Sequence, residues 1–381
     1  MPDYGKTMKR RACILLAFAA LATYAAPPVR RGPVVGGPQA RPAARAVPAR
    51  SVPVPAARAA APRSAAKPAA KKPEARNDVP PMTGKPAPKG AGPLAPYRSA
   101  IAVDADSGRV LFADFETRTA FPASVTKLMT FLLVLEDLQA GRYTLQDVAV
   151  GTIYAASMEP SKVDLRPGQA MTIEDLLFSL MVKSANDAAV ILAEHAAWVR
   201  AGGKGRMPVD SKWNSRELVD AFIARMNRRA QELDMESTRY YSPNGLPPGL
   251  QEKRGFDTST AADQARLCRR ILQIPGALRY TSAAHRTVTV GEGETAVRLG
   301  LSAHNYFLPG TSDKNGLVRP VPGCDGLKTG YTAASGSSIA LTAGRNGRRV
   351  IVVVLGSAGR HEREAAAARI LHDALGAVSM W

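Results

Sequence analysis

The chain has 381 residues, 45% of them hydrophobic, and a formal net charge of +19. That length holds one large domain or two, and no stretch reaches the roughly 20 apolar residues of a membrane-spanning helix. The charge also argues against a folded nucleic-acid-binding face. Residues 27–96 hold 13 Lys/Arg against 2 acids, whereas residues 97–381 hold 34 against 29.

Residues 1–26 read as an export signal. Lys6, Lys9, Arg10 and Arg11 form its positive region, Ala12 to Ala22 its apolar core, and Thr23-Tyr24-Ala25 a cleavage site. Cleavage would release the protein into the periplasm or cell envelope. An uncleaved signal would hold it on the outer face of the cytoplasmic membrane. Cys13 lies at the start of the apolar run and not after it, so no lipoprotein anchor is expected. Cys268 and Cys324 share no motif spacing, and two buried free thiols are expected ahead of a disulfide.

Residues 27–96 carry 17 of the 29 prolines and no aromatic residue. Such a segment buries too little apolar surface to offset its ordering entropy, so a disordered, semi-rigid basic linker is expected. Its charge suits weak association with anionic envelope polymers or membrane, or simple solvation.

The folded region, 97–381, opens with short strands at Ser99–Asp104 and Arg109–Ala113 around the turn residues Asp106-Ser107-Gly108. A helix follows from Ser124 to about Ala140. Thr144–Val150 reads as loop or edge strand, and Leu165–Gly168 as a turn. Thr172-Ile173-Glu174-Asp175 gives a capping-box-like start to a helix running to about Val182. Ser184-Ala185-Asn186 separates that helix from another over Ala188–Trp198.

Ala201–Asn214 is Gly- and Lys/Arg-rich and reads as an exposed insertion. Arg216–Leu233 is amphipathic through Leu218, Phe222, Met226 and Leu233. Tyr241–Gly249 is loop and Thr260–Leu272 helix. Strands are expected at Arg286–Val290, Ala296–Leu299, Ser337–Ala343 and Arg349–Leu355, with a last helix over Glu362–Leu375. This order predicts a mixed α+β fold: one antiparallel sheet whose edges come from opposite ends of the chain, flanked by helices, plus a helical cluster.

Three short motifs carry chemistry. Ser124 and Lys127 lie nearly one turn apart, which puts hydroxyl and ammonium on the same face of a helix. A lysine in a partly dry site loses basicity and can act as a base. Alone, the pair reads equally as an N-cap serine followed by a solvated lysine. Ser184 and Asn186 could relay a proton and hold a peptide carbonyl, or simply form a capping loop. Lys328-Thr329-Gly330, at the start of the terminal hairpin, offers a charge, a hydroxyl donor for a carboxylate and room for substrate backbone. The ordered set Ser-x-x-Lys, Ser-x-Asn, Lys-Thr-Gly is far less probable by chance than any one of its members.

On these residues the sequence resembles the serine penicillin-binding and β-lactamase superfamily, and within it the low-molecular-mass D-alanyl-D-alanine carboxypeptidases. The stretches that carry the resemblance are Phe121–Thr130, Met181–Asp187 and Asp325–Thr332, with weaker echoes at Tyr241–Leu246 and His304-Asn305. The resemblance covers about 97–375 and implies a penicillin-binding transpeptidase-like fold. It implies Ser124 as acylated nucleophile, Lys127 as its base, and Ser184 with Asn186 as relay and orienting pair. Lys328, Thr329 and Arg363 would bind the substrate carboxylate, and the backbone N–H groups of Ser124 and Tyr331 would form an oxyanion hole beside Gly330.

The implied reaction removes the terminal D-alanine of peptidoglycan stem peptides through an acyl-enzyme, with β-lactams as covalent inhibitors and no metal or cofactor. A D,D-endopeptidase that cuts cross-links uses the same residues and stands as the alternative. The Glu-x-x-x-Asn loop of class A β-lactamases is not found, since Glu217 has no Asn four residues on. No C-terminal β-rich domain is expected after the last helix. Non-catalytic wall binding is disfavoured by the intact Ser124, Lys127 and Lys328, and nucleic-acid binding by the export signal. No Gly-x-Ser-x-Gly elbow occurs, and the five histidines (His195, His285, His304, His361 and His372) show no metal-ligand spacing.

Overall fold

A computed structural model describes residues 96–209, 212–247, 255–316 and 318–379. The expected export signal and all but the last residue of the expected linker lie outside these residues. So do positions 210–211 of the insertion and the end of the Tyr241–Gly249 loop.

The described chain opens with a hairpin, β1 (Ser99–Asp104) and β2 (Val110–Asp114), turned at Gly108 with φ 75°. A 3₁₀ turn, Ala123–Thr126, then feeds α1 (Lys127–Gln139). There follow β3 (Val148–Val150), the short α2 (Ile153–Ala156), β4 (Ala170–Thr172) and α3 (Ile173–Phe178). A π-helical turn at Ser179–Lys183 separates α3 from α4 (Asn186–Arg200). The helical middle ends with α5 (Lys212–Glu232), α6 (Ala261–Leu272) and the single turn α7 (Leu278–Thr281). A second hairpin, β5 (His285–Val290) and β6 (Val297–Ser302), precedes the meander β7 (Cys324–Thr332), β8 (Gly336–Arg345) and β9 (Arg348–Ser357). Helix α8 (Arg360–Ser379) closes the fold.

The main sheet has the antiparallel order β2-β1-β9-β8-β7, so its edges do come from opposite ends of the folded region. Its centre is β9, where Val350 to Leu355 are all fully buried. A strand buried on both faces reads as a continuous β-branched run, and Val-Ile-Val-Val-Val-Leu is such a run. Helices α6 and α8 both pack against it.

Helix α1 is apolar on every side, and Leu128 to Leu135 are at most 6% exposed. A helix of that kind must run through a core. Each large side chain it buries contributes roughly 1.5–3 kcal/mol. The C-terminal end of α1 comes to the surface at Gln139, while its buried N-terminal end lies beside the edge strand β7, which packs on the 3₁₀ turn.

Three local expectations change. The helix expected to reach Val182 gives way to a π-helical turn at Ser179, which sets Ser184 in left-handed backbone at φ 62°. Lys328-Thr329-Gly330 lies within β7, not at its start, because pairing with β8 extends the strand back to Cys324 despite the poor strand formers Asp325 and Gly326. Val219 takes the buried position on α5 that Leu218 was expected to fill, and Leu218 is half-buried. Cys268 and Cys324 are both free and buried, as expected.

Candidate active site

Lys127 is the first residue of α1 and is fully buried. Its Nζ lies 2.9 Å from Ser124 Oγ, 2.7 Å from Asn186 Oδ1 and 2.7 Å from the backbone carbonyl of Asn244. Two of those partners are carbonyl oxygens, which only accept. A neutral amine gives its two N–H groups to them, and its lone pair then faces the Ser124 hydroxyl. Burial holds the Lys127 pKa well below the usual lysine value, and the nearby Lys328 charge pushes it the same way. The N-cap alternative fails as well, for Ser124 makes no side-chain cap and its hydroxyl is held by Lys127.

The partners of Lys127 are themselves fixed. Asn186 Nδ2 donates to Glu159 O at 3.0 Å, which turns its oxygen toward the lysine, and its backbone N–H donates to Ser161 O at 2.7 Å. The Asn244 carbonyl sits in the stretch Tyr241–Leu246, strapped along the first turn of α1. Thr130 Oγ1 donates to Pro243 O at 2.6 Å. Buried Asp257 accepts from the Tyr241 and Ser242 N–H groups, the Ser242 hydroxyl and Thr126 Oγ1. Burial raises the Asp257 pKa to about 6 against the opposing pull of those four donors.

Close backbone approach completes the frame. Gly330 packs so tightly on the 3₁₀ turn that a Cβ there would lie 2.8 Å from Pro122 O and 3.0 Å from Ser124 N. Gly245 approaches from the other side, where a Cβ would lie 1.9 Å from Ala123 O. Ala123 itself is left-handed, at φ 50°, as is Ser184. Non-glycine residues held in that region cost about 1–3 kcal/mol each and persist where the surroundings over-determine them.

A cavity of about 300 Å³ opens over this frame. Seven residues singled out in the sequence line it: Ser124, Ser184, Asn186, Thr329, Gly330, Tyr331 and Arg363. Lys127 and Lys328 lie buried beneath its floor. Lys328 Nζ donates to Thr329 O at 2.7 Å, and burial together with the Arg363 charge lowers its pKa to about 7. Arg363, on the first turn of α8, donates to Ser338 O at 3.4 Å and pairs with the buried Glu364. The structure thus brings all nine residues together.

It also adds groups that side-chain motifs did not assign. The Asn244 carbonyl and Gly245 lie in a stretch quoted only as an echo, and the carbonyl has no side-chain signature. Leu246, His304, Tyr306 and Arg360 line the cavity, with the Arg360 guanidinium 4.5 Å over the Tyr306 ring and paired to Asp313 at 2.7 Å.

A serine bound to a buried lysine, a Ser-x-Asn turn and a Lys-Thr-Gly edge strand, set between a sheet and a helical cluster, define a serine peptidase of the penicillin-binding fold. A family model described as D-alanyl-D-alanine carboxypeptidase (peptidase S11) matches residues 93–205 and 217–359, and the chain belongs to that family. The break in the match falls inside the Ala201–Asn214 stretch and the first residues beyond it. The D-alanyl-D-alanine carboxypeptidase DacF of Bacillus subtilis is 30% identical over 274 residues, 72% of this chain and 61% of the relative. This chain therefore spans about three fifths of that relative's length. A D-alanyl-D-alanine endopeptidase of Pseudomonas aeruginosa is 27% identical over 293 residues, 76% of this chain and 81% of the relative. The solved structure of penicillin binding protein 6B from Escherichia coli matches with a TM-score of 0.59 at 26% identity, covering 77% of this chain and 81% of that one. Among the described residues no helix is long and apolar enough to cross a membrane.

Proposed function

We propose that the protein is an exported serine D,D-carboxypeptidase that removes the terminal D-alanine from peptidoglycan stem peptides. The observation that carries this reading is Lys127, whose two obligate acceptors leave its lone pair for Ser124 at the foot of the cavity. In the first step Lys127 takes the Ser124 proton as Oγ adds to the penultimate D-alanine carbonyl carbon. The oxyanion would sit between the backbone N–H groups of Ser124 and Tyr331, and removing one such donor typically costs about 3 kcal/mol. Collapse breaks the C–N bond, and the proton returns through Lys127 and Ser184 to the leaving amine. Water then adds to the Ser124 ester and releases the shortened peptide.

Thr329, Lys328 and Arg363 would hold the substrate carboxylate, and the second N–H of Asn186 Nδ2 is left for a peptide carbonyl. Among the described residues no carboxylate lines the cavity, which supports a long-lived penicilloyl ester. Fluorescent penicillin is expected to label the full-length protein on Ser124 and not to label Ser124→Ala. Undiminished labelling of the variant would sink the mechanism. Product analysis then separates this activity from cross-link cleavage. Release of D-alanine from a pentapeptide is expected, while cleavage of a muropeptide dimer alone would transfer the reading to endopeptidase.

The pH profile follows from the two buried lysines. On the acid side activity falls as Lys127 gains a proton and loses its lone pair. The Lys328 pKa is lowered, so its charge is present below about pH 7 and lost as pH rises through that value. For a substrate with a free carboxylate, kcat/KM is therefore expected to decline above about pH 7, and Lys328→Arg is expected to remove that alkaline limb. A decline of equal midpoint in Lys328→Arg would assign the limb to another group.

A further inference from the structure

At the far end of α1 from Lys127 lies a second cavity, with a volume of about 570 Å³. Among the described residues it is walled by Arg200, Arg225, Arg228, Arg229 and Arg270, with Glu136 and Glu232 as the only acids in the wall. Glu136, nine residues past Lys127, places it about 14 Å along the helix axis from the lysine. The carboxylates are already committed. Buried Asp137 pairs with Arg200 at 2.6 Å, Arg225 at 2.5 Å and Arg142 at 3.2 Å. Glu136 takes Arg229 and Arg270, and Glu232 takes Arg229 again. Five guanidinium groups thus share three carboxylates, and Arg228 adds a sixth to the cluster.

Part of this cluster has a structural task. Arg225 donates to Leu133 O at 3.1 Å, and cations near a helix C-terminus are favourable. That does not account for Arg228, which is exposed and makes no ion pair or hydrogen bond among the described residues. Arg229, only 9% exposed, is paired with Glu136 and Glu232 but keeps a buried Nε with no partner among the described residues, so the excess charge of the cluster rests on Arg228. Uncompensated guanidinium groups repel one another, and arginine forks match the paired oxygens of phosphate.

We propose that this crevice binds a multiply charged phosphate group, at a site separate from the peptidase centre. The test uses the full-length protein, because the basic N-terminal segment offers competing arginines that only a residue-resolved readout separates. Arginines are modified with phenylglyoxal, with and without inorganic tripolyphosphate at matched ionic strength, and mapped by mass spectrometry. Modification of Arg228 is expected to slow at least about fivefold when the probe is well above its Kd. Arg228→Glu is expected to raise the tripolyphosphate concentration that protects Arg270 by about tenfold, with penicillin acylation of Ser124 unchanged. Vesicles of phosphatidylglycerol against phosphatidylcholine identify the source, since protection by the former assigns a lipid headgroup and protection by tripolyphosphate alone a soluble phosphate. Protection confined to arginines of 27–96, no protection of Arg228 by either probe, or wild-type affinity in Arg228→Glu would overturn the proposal.

Discussion

Lys127→Gln is expected to slow penicillin acylation of Ser124 by about 10³–10⁴-fold while leaving the fold intact, the upper range for loss of a general base. The choice of glutamine follows from the hydrogen bonds. Its side-chain amide carries two N–H groups, one for Asn186 Oδ1 and one for the Asn244 carbonyl, so neither buried acceptor is stranded. What it lacks is a basic amine lone pair to take the Ser124 proton. A truncation to alanine would confound two effects, because it would also leave both acceptors unsatisfied in a buried site. Stopped-flow or gel-based labelling with fluorescent penicillin measures the rate, and thermal melting reports the fold. Acylation within tenfold of wild type would show that another group takes the proton, and Ser184 would then be the next to examine.

Much of this centre was legible in the chain. Ser124 and Lys127 stood out only through the ordered set they form with Ser184-Ala185-Asn186 and Lys328-Thr329-Gly330, and the β-branched run through Leu355 marked a strand. The pattern after Ser124 predicts a helix to about Ala140, and its burial on every side is what the structure adds. What escaped was whatever has no side-chain chemistry or no period. The Asn244 carbonyl belongs to the backbone, and only the tertiary strap of Asp257, Ser242 and Thr130 brings it to the lysine. Ser184 looked like a residue in a break between helices. Its left-handed conformation comes from a π-helical turn at Ser179–Lys183, where the apolar pattern continues as if the helix were regular. The Lys-Thr-Gly strand began earlier than expected, because partnership with β8 overrode the weak strand preference of Asp325 and Gly326. Local pattern thus gave the elements, while close backbone approach gave the geometry.

Gly245 puts that last point to a quantitative test. Gly245→Ala is expected to lower the acylation rate at least about 100-fold, the penalty typical of displacing a reacting group by an ångström. The added Cβ would lie 1.9 Å from Ala123 O and 3.0 Å from Ser124 N, so the turn carrying the nucleophile must move. Backbone conformation alone contributes a separate cost, since Gly245 has φ 82° and a non-glycine residue there costs about 1–2 kcal/mol. Gly276 separates the two effects. Its φ is 80°, yet nothing lies within 4 Å of its would-be Cβ. Gly276→Ala should therefore show the conformational destabilisation in melting experiments and acylate at the wild-type rate. Gly245→Ala should add the loss of acylation. Equal acylation rates in the two variants would mean that the Ala123–Ser124 turn yields without cost to catalysis, and that the nucleophile is held by Lys127 and Gly330 alone.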